Sequence, residues 1–219
     1  MRARSAEIRS VSGRGELGLD DPEHGTVRFE AAFVMRPPQH ARVRAWKLGH
    51  AVFDLTATPD GVWIYTPEEQ ATEGVPNPNR STASPLSATL ARTSDALPDW
   101  MAVLWGHDSP DTREAGTRTT ELQGPMLVLN DALASGGCFR RTVRRATLTT
   151  ERAEVFDSDG ASLFTLDLSD YRELRGVVWP CTIVASSSGG RVTILTRDLV
   201  TNAESDAAFT PAARSRKLP

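Results

Sequence analysis

The sequence lacks an apolar run that approaches the ~20 residues needed to span a bilayer, and residues 1–10 lack the apolar stretch of a signal peptide. It also lacks an excess of positive charge, because 25 Lys and Arg are interspersed with 28 Asp and Glu. A nucleic-acid surface needs a concentrated basic patch, so none is expected. The short basic run Arg140, Arg141, Arg144 and Arg145 is interpreted as the solvated face of a strand.

Residues that commonly carry chemistry are few and scattered. Two cysteines, Cys138 and Cys181, allow one disulfide at most, and both a disulfide and two buried free thiols remain open, since bonding requires Cβ atoms within about 4.5 Å. The four histidines have no zinc-ligand spacing, and no serine occupies a Gly-x-Ser-x-Gly turn. The acidic pairs 20–21 and 68–69 lie in polar segments of the sequence and are interpreted as solvated groups, not as catalytic acids, which need a desolvated site. The sequence therefore predicts no cofactor, no metal and no enzymatic activity.

Two motifs match binding sites by letter only. Residues 13–18, Gly-Arg-Gly-Glu-Leu-Gly, resemble a dinucleotide motif, but that motif must leave a strand and open a helix, and a turn at 20–22 follows instead. We interpret these glycines as permitting strong bending of the first strand. Residues 157–160 resemble the start of a calcium loop, but Leu168 replaces the bidentate glutamate. A hairpin turn explains this segment.

Apolar and polar residues alternate along most of the chain, and this period of two is typical of strands with one buried face. Strands are predicted at 9–19, 26–35, 40–48, 50–58, 62–66, 120–130, 138–149, 153–157, 162–168, 176–186 and 191–202. Hairpin-length turns join nearly all of them, whereas parallel strands would need helical crossovers. The expected fold is therefore mainly β with a few helices, built on a strongly curled antiparallel sheet.

A long insertion at 67–106 breaks the alternation. Its first half is rich in polar residues and proline, and its second half has apolar residues at helical spacing over 85–91 and 95–106. The apolar helical face is either ordinary core or a helical flap over a cavity, and loops of this length in compact domains are usually functional or mobile. We expect a single domain over 1–210 that includes this insertion, followed by a flexible tail at 211–219.

Several short segments occur in a characteristic order along the chain. In the first half, residues 33–37 end a strand in Arg-Pro, and residues 58–72 contain Asp-Gly-Val-Trp-Ile-Tyr-Thr-Pro before the insertion. In the second half, residues 171–180 lead through Trp-Pro into the last predicted hairpin, and Asn202 precedes Phe209. From about Ile8 to Phe209, these segments and their order resemble the family of the periplasmic lipoprotein carrier and outer-membrane lipoprotein receptor of the Lol system (LolA and LolB).

This resemblance implies an incomplete, open antiparallel β-barrel whose mouth is plugged by a helical lid. In such proteins the cavity binds the acyl chains of lipoproteins, and the arginine before proline, here Arg36, helps to hold the lid closed. An acyl chain buried on an apolar concave face gains about 0.8 kcal/mol per methylene. Eleven residues are expected to line the cavity: Phe29, Phe33, Met35, Phe53, Leu55, Trp63, Tyr65, Trp100, Leu104, Met126 and Val128.

The expected function is to carry or receive a lipid or the acyl chains of lipoproteins at the bacterial outer membrane. The alternative is a non-catalytic structural or scaffold module of the cell envelope without ligand. The expected partners are a lipid or an acylated lipoprotein, and the outer membrane or inner-membrane transport machinery. The protein is expected to be a monomer in the periplasm, free or as an outer-membrane lipoprotein, with a targeting segment that is not part of this sequence.

Overall fold

One antiparallel sheet of thirteen strands forms the part of the chain that the computed structural model describes, which is residues 8–22, 25–37, 39–67, 118–134, 136–174, 176–203 and 205–218. The strands are β1 Val11–Asp21, β2 Gly25–Arg36, β3 His40–Lys47, β4 His50–Thr58, β5 Gly61–Tyr65, β6 Arg118–Gln123, β7 Met126–Ala132, β8 Cys138–Arg144, β9 Thr149–Phe156, β10 Ser162–Leu174, β11 Val177–Ser187, β12 Gly190–Thr201 and β13 Arg216–Lys217.

Two meanders share this sheet. Strands β1 to β5 pair in sequence order, and so do strands β6 to β12. The first and last of these long strands, β1 and β12, then pair with each other over Val11↔Thr201 to Asp20↔Arg191. The sheet has β13 and β6 as its two edges, so it does not close into a barrel. The predicted antiparallel, mainly β fold is confirmed.

One face of the sheet carries the core, and we call it the inner face; it is defined by Phe29, Phe33, Phe53 and Leu55 and by their cross-strand partners. The opposite side is the outer face. The sheet bends strongly, because Cα atoms of β10 and β12, which flank β11, come within 8 Å of each other, whereas two steps of a flat sheet span about 9.6 Å. Bending of this kind lets the inner face bury its own side chains.

Two predicted strands contain a turn in the structure, and β9 and β10 are longer than the strands predicted at 153–157 and 162–168. The strand expected at 120–130 is a hairpin, β6 and β7, because Gly124 adopts a positive φ of 58° and Pro125 follows it in the turn. The strand expected at 138–149 ends at Arg144, and a turn over 145–148 reverses the chain into β9. The apolar residues from Met126 to Leu129, directly after the first of these turns, favoured a single continuous strand in the sequence.

The tail expected to be flexible at 211–219 is instead attached to the sheet over the residues described. Arg216 and Lys217 pair with Ile64 and Trp63 of β5, and the Leu218 amide donates to the Val62 carbonyl at 2.8 Å. Leu218 is buried in the core. The chain end therefore covers the β5 edge, which would otherwise present unpaired backbone groups.

The predicted helical lid at 67–106 lies outside the described residues apart from its first residue, Pro67, and so do Trp100 and Leu104. Among the described elements, the single helical one is a 3-10 turn at Asp206–Phe209. Within the described ranges, no helix is long and apolar enough to cross a membrane.

Candidate functional site

Five of the eleven residues predicted to line a cavity lie together on the inner face. Phe29, Phe33 and Met35 alternate along β2, and Phe53 and Leu55 alternate along β4. All five are less than 6% exposed. Buried and more exposed residues alternate strictly along β2, and Val27 and Ala31 belong to the same inward series. This alternation indicates which side chains face the core, because a shift of one residue in register would turn all of them outwards.

Aromatic rings on this face meet above small residues. Phe29 and Phe53 make an edge-to-face pair at 6.0 Å between ring centroids, although β3 lies between their strands and contributes Ala45, the direct partner of Phe53. Phe33 stacks on Trp179 of β11 at 6.2 Å, above Gly13 of β1, where a Cβ atom would lie 2.3 Å from the Phe33 ring. These pairs fill the inner face with the protein's own side chains, in favourable ring geometries.

Trp179 is a core residue that the sequence analysis did not place on this face. Its ring is 2% exposed, and its Nε1 donates to the Thr196 hydroxyl at 3.3 Å. The buried indole N–H thus has the partner that a desolvated donor requires. The signal was present in the sequence, because Trp179, Cys181 and Ile183 alternate as one buried series along β11.

Four other predicted lining residues lie away from this inner face. Ile64, not Trp63 or Tyr65, is the buried residue of β5, since it pairs with Leu55, whereas Trp63 pairs with Thr56 and Tyr65 with Asp54 on the outer face. Met126 and Val128 pair with Arg144 and Thr142, which also face outwards. The structure therefore divides the predicted set between the two faces; whether any of these residues contacts a ligand stays a prediction.

Arg36, the residue expected to latch a lid, contacts the C-terminal turn instead. Its guanidinium forms an ion pair with Asp206 and lies 4.6 Å from the centroid of the Phe209 ring. The hydrogen bond from Arg36 lowers the pKa of Asp206, and His40 packs edge-on against Phe209 at 5.4 Å. Burial, assisted by the Arg36 charge, lowers the pKa of His40. Contacts between Arg36 and a lid would lie outside the described residues, so the latch stays a prediction.

A buried ion pair supports the outer face of β3 and β4. Arg42 donates from Nε and Nη2 to both carboxylate oxygens of Asp54, at 2.8 and 2.7 Å, and from Nη1 to the Ala208 carbonyl at 3.0 Å. Arg44 adds a bond from Nε to Asp54 at 2.9 Å. The bidentate contact with Asp54 is the strong form of an arginine–carboxylate contact. The hydrogen bond to the Ala208 carbonyl attaches the 3-10 turn to the sheet.

The basic run of β8 is not a uniformly solvated face. Arg140 and Arg144 are exposed, but Arg141 is buried on the same side as Phe139 and donates to Asp131 at 3.0 Å. Arg118 of the edge strand also pairs with Asp131. The prediction was therefore wrong for Arg141, because Asp131, ten residues earlier, supplies a buried counter-charge that a count of charges cannot reveal.

The two motifs that match binding sites by letter lie in a strand and in a hairpin turn. Residues 13–18 lie inside the uninterrupted strand β1, so no helix N-terminus faces a phosphate there. Asp157 accepts bonds from the amides of Asp159 and Ala161 at 3.0 and 2.8 Å, which is a hairpin turn. Cys138 and Cys181 are both free thiols, and burial raises the pKa of Cys181. No cluster of three metal-ligating side chains occurs within the described ranges.

Two grooves open on the outer face. One, of about 910 Å³, lies between β1, β2, β3 and β12 and the turn at 205–208. The other, of about 1000 Å³, lies over β8 to β10, where ion pairs such as Arg152 with Asp167 already match its charges. Burial raises the pKa of the Tyr171 phenol in this second groove, so it stays protonated and donates to the Thr150 carbonyl.

No protein-family model and no curated protein matches the chain, but solved structures do. A DUF1329 family protein from Desulfovibrio piger has a TM-score of 0.61 at 13% identity, over 95% of this chain and 92% of that one. A LolA superfamily protein from Nitrosomonas europaea has a TM-score of 0.59 at 13% identity, over 95% of both chains. A domain from Vibrio parahaemolyticus assigned to outer membrane lipoprotein sorting has a TM-score of 0.57 at 14% identity, over 95% and 93%.

Identities of 13–14% show a shared fold and carry no assignment of ligand. The similarity extends over nearly the whole length of each protein, so it is not confined to a common hairpin or meander. The chain therefore has an open antiparallel sheet whose fold is similar to that of a LolA superfamily protein, and this confirms, for the fold, the resemblance indicated by the Arg36-Pro37 and Asp60-Gly61 segments.

Proposed function

We propose that the protein is a non-enzymatic carrier or receptor that holds an acyl chain of a lipid or lipoprotein against its inner face, in the periplasm or at the outer membrane. The observation that carries this proposal is the continuous apolar inner face of a sheet that stays open at both edges. The fold is shared with a domain assigned to outer membrane lipoprotein sorting, which agrees with an acylated partner and an envelope location.

The inner face can accept a chain only if its own side chains give way. A chain of some fifteen carbons offers on the order of 10 kcal/mol of hydrophobic free energy before the costs of binding, and an open state needs to lie only a few kcal/mol above the closed one. Ala31 and Ala45 are direct partners beneath the Phe29–Phe53 pair. Rotation of these two rings would uncover a strip of small side chains, Ala31 and Ala45, for contact with a methylene chain.

Extraction and mass spectrometry of the purified protein test the proposal, together with titration of a fluorescent fatty acid. We expect a co-purified lipid and saturable binding of the probe. Ala31→Leu, which extends a side chain into the strip, should weaken probe binding by at least about tenfold, since the three added carbon atoms take space that methylenes of the guest would occupy. Ala51→Leu, at an exposed position of β4, is the matched control and should leave binding unchanged.

The role of Arg36 can be separated from its effect on the C-terminal turn. Arg36→Leu and Asp206→Asn both remove the same ion pair, and this exposed pair contributes little to stability, so the urea midpoint of both variants should stay close to that of the parent protein. A latch predicts faster loss of the labelled fatty acid from Arg36→Leu alone. Equal release rates from the two variants would assign Arg36 to the C-terminal turn and reject the latch.

A scaffold module without ligand is the second candidate, and one observation favours it. Phe33 and Phe53 are each only 2% exposed, and Ile183 1%, so the described inner face is already filled. Under this alternative the extract contains no lipid, the probe does not bind, and Ala31→Leu differs from Ala51→Leu only in stability.

A further inference from the structure

The 910 Å³ groove on the outer face is rich in guanidinium groups. Its lining includes Arg14, Arg42, Arg44 and Arg197, against the carboxylates of Glu30 and Asp198. The remaining walls are largely apolar and come from the sheet and from the turn that follows β12; they include Val34, Trp46, Ala207 and Ala208. The volume lies within the range of about 300–1,000 Å³ that small-molecule sites occupy.

A single cross-strand row places two of these arginines on either side of a gap. Arg14 of β1 is the direct partner of Ala32 of β2, and Ala32 is the direct partner of Arg44 of β3. Adjacent strands are about 4.8 Å apart, so the two arginine backbones lie about 10 Å apart with only a methyl group between them. Side chains of this length can both reach a group that sits over Ala32.

The arginines differ in how far their donors are already used. Arg42 uses Nε, Nη1 and Nη2 in hydrogen bonds to Asp54 and the Ala208 carbonyl, so its role is to stabilise the fold. Within the described ranges, Arg44 uses only its Nε, in a hydrogen bond to Asp54. Arg14 makes no ion pair with any residue in the described ranges, although Asp198 is its direct partner on β12, and Arg197 makes a loose contact of 3.6 Å with Glu16.

We propose that this groove binds an amphipathic molecule with an oxyanion head, a carboxylate or a phosphate, held over Ala32 between Arg14 and Arg44. Guanidinium groups bind such heads through paired, charge-assisted hydrogen bonds. The apolar part of the molecule lies against Val34, Trp46 and the two alanines of the 3-10 turn. The site is on the outer face, on the opposite side of the sheet from the inner face, so this proposal does not depend on the proposed function.

Ala32→Glu tests the proposal by placing the protein's own carboxylate where the head would sit. Ala32→Gln is the matched control, since it has nearly the same size and no charge. The probes are inorganic phosphate, octanoate and decyl phosphate, titrated by calorimetry at low salt. We expect Ala32→Glu to weaken binding of all three by at least about tenfold, the effect of losing one charge-assisted bond, and Arg14→Gln to do the same, whereas Ala32→Gln changes binding less than about threefold.

The three probes distinguish the contribution of the oxyanion head to binding from that of the apolar tail. Decyl phosphate that binds much more tightly than inorganic phosphate supports an amphipathic ligand, whereas equal binding overturns the apolar part of the proposal. Failure of all three probes to bind the parent protein, or equal binding to Ala32→Glu and Ala32→Gln, overturns the site itself. Ala45→Leu, on the inner face and outside the lining of the groove, should leave binding of inorganic phosphate unchanged, so a failure here is distinguishable from a failure of the proposed function.

Discussion

Asp54→Ala is expected to lower the free energy of unfolding by about 3 kcal/mol, because it leaves the guanidinium of Arg42 without its counter-charge in a site that water reaches poorly. The side chains of Arg42 and Asp54 are 10% and 13% exposed. Two of the three hydrogen bonds that Arg42 makes end on Asp54. Chemical denaturation in urea, followed by tryptophan fluorescence, measures the change.

Two variants show whether the loss comes from the buried charge. Arg44→Gln removes the half-exposed arginine from the same carboxylate and should cost less than about 1 kcal/mol, as for other exposed pairs. The double variant Arg42→Met with Asp54→Leu removes both buried charges, and it should recover much of the stability that Asp54→Ala loses. An Asp54→Ala variant no less stable than Arg44→Gln would show that water solvates Arg42 and would contradict the prediction.

The predictable part of the fold is the part in which apolar and polar residues alternate strictly. Strand β2 has a buried residue at every second position from Phe29 to Met35, and both its limits and its face were predicted correctly. Strand β5, Gly61–Tyr65, has four large or branched apolar residues in succession. Alternation therefore does not show which of these residues points into the core. Pairing with Leu55 decides the register and buries Ile64, whereas Trp63 and Tyr65 lie on the other face.

The candidate site was predictable only where a single strand determined it. The apolar inner face follows from alternation within β2 and β4, but the buried pair of Arg141 and Asp131 depends on the register between β7 and β8. The 910 Å³ groove on the outer face depends on the register across β1, β2 and β3 and on the position of the turn at 205–208. Long-range register of this kind is set by turns and bulges, which the sequence of any one strand does not specify.

One such bulge accounts for the glycines of β1. The pairing with β12 shifts between Arg14, opposite Asp198, and Gly15, opposite Thr196, so that Arg197 has no direct partner. At Gly15 the two backbones approach closely, and a Cβ atom would lie 1.8 Å from the Leu195 carbonyl oxygen. The bulge therefore needs glycine at position 15 for space, which agrees with a bend in the first strand.

Gly15→Ala should consequently lower the free energy of unfolding by about 3 kcal/mol, since the obstructing atom belongs to backbone and cannot rotate away. Gly18→Ala, in the same strand, is the control: its Cβ atom would make an ordinary contact of 3.6 Å with Thr193, and alanine should leave stability equal or raise it by up to about 1 kcal/mol. Gly13→Ala should have a stability between those of the other two variants. The Phe33 ring can move in part, but the Asp198 carbonyl oxygen, 2.9 Å from the added Cβ atom, cannot. Urea denaturation of the three variants gives the order, and a Gly15→Ala protein as stable as Gly18→Ala would mean that β1 and β12 do not approach each other in this way.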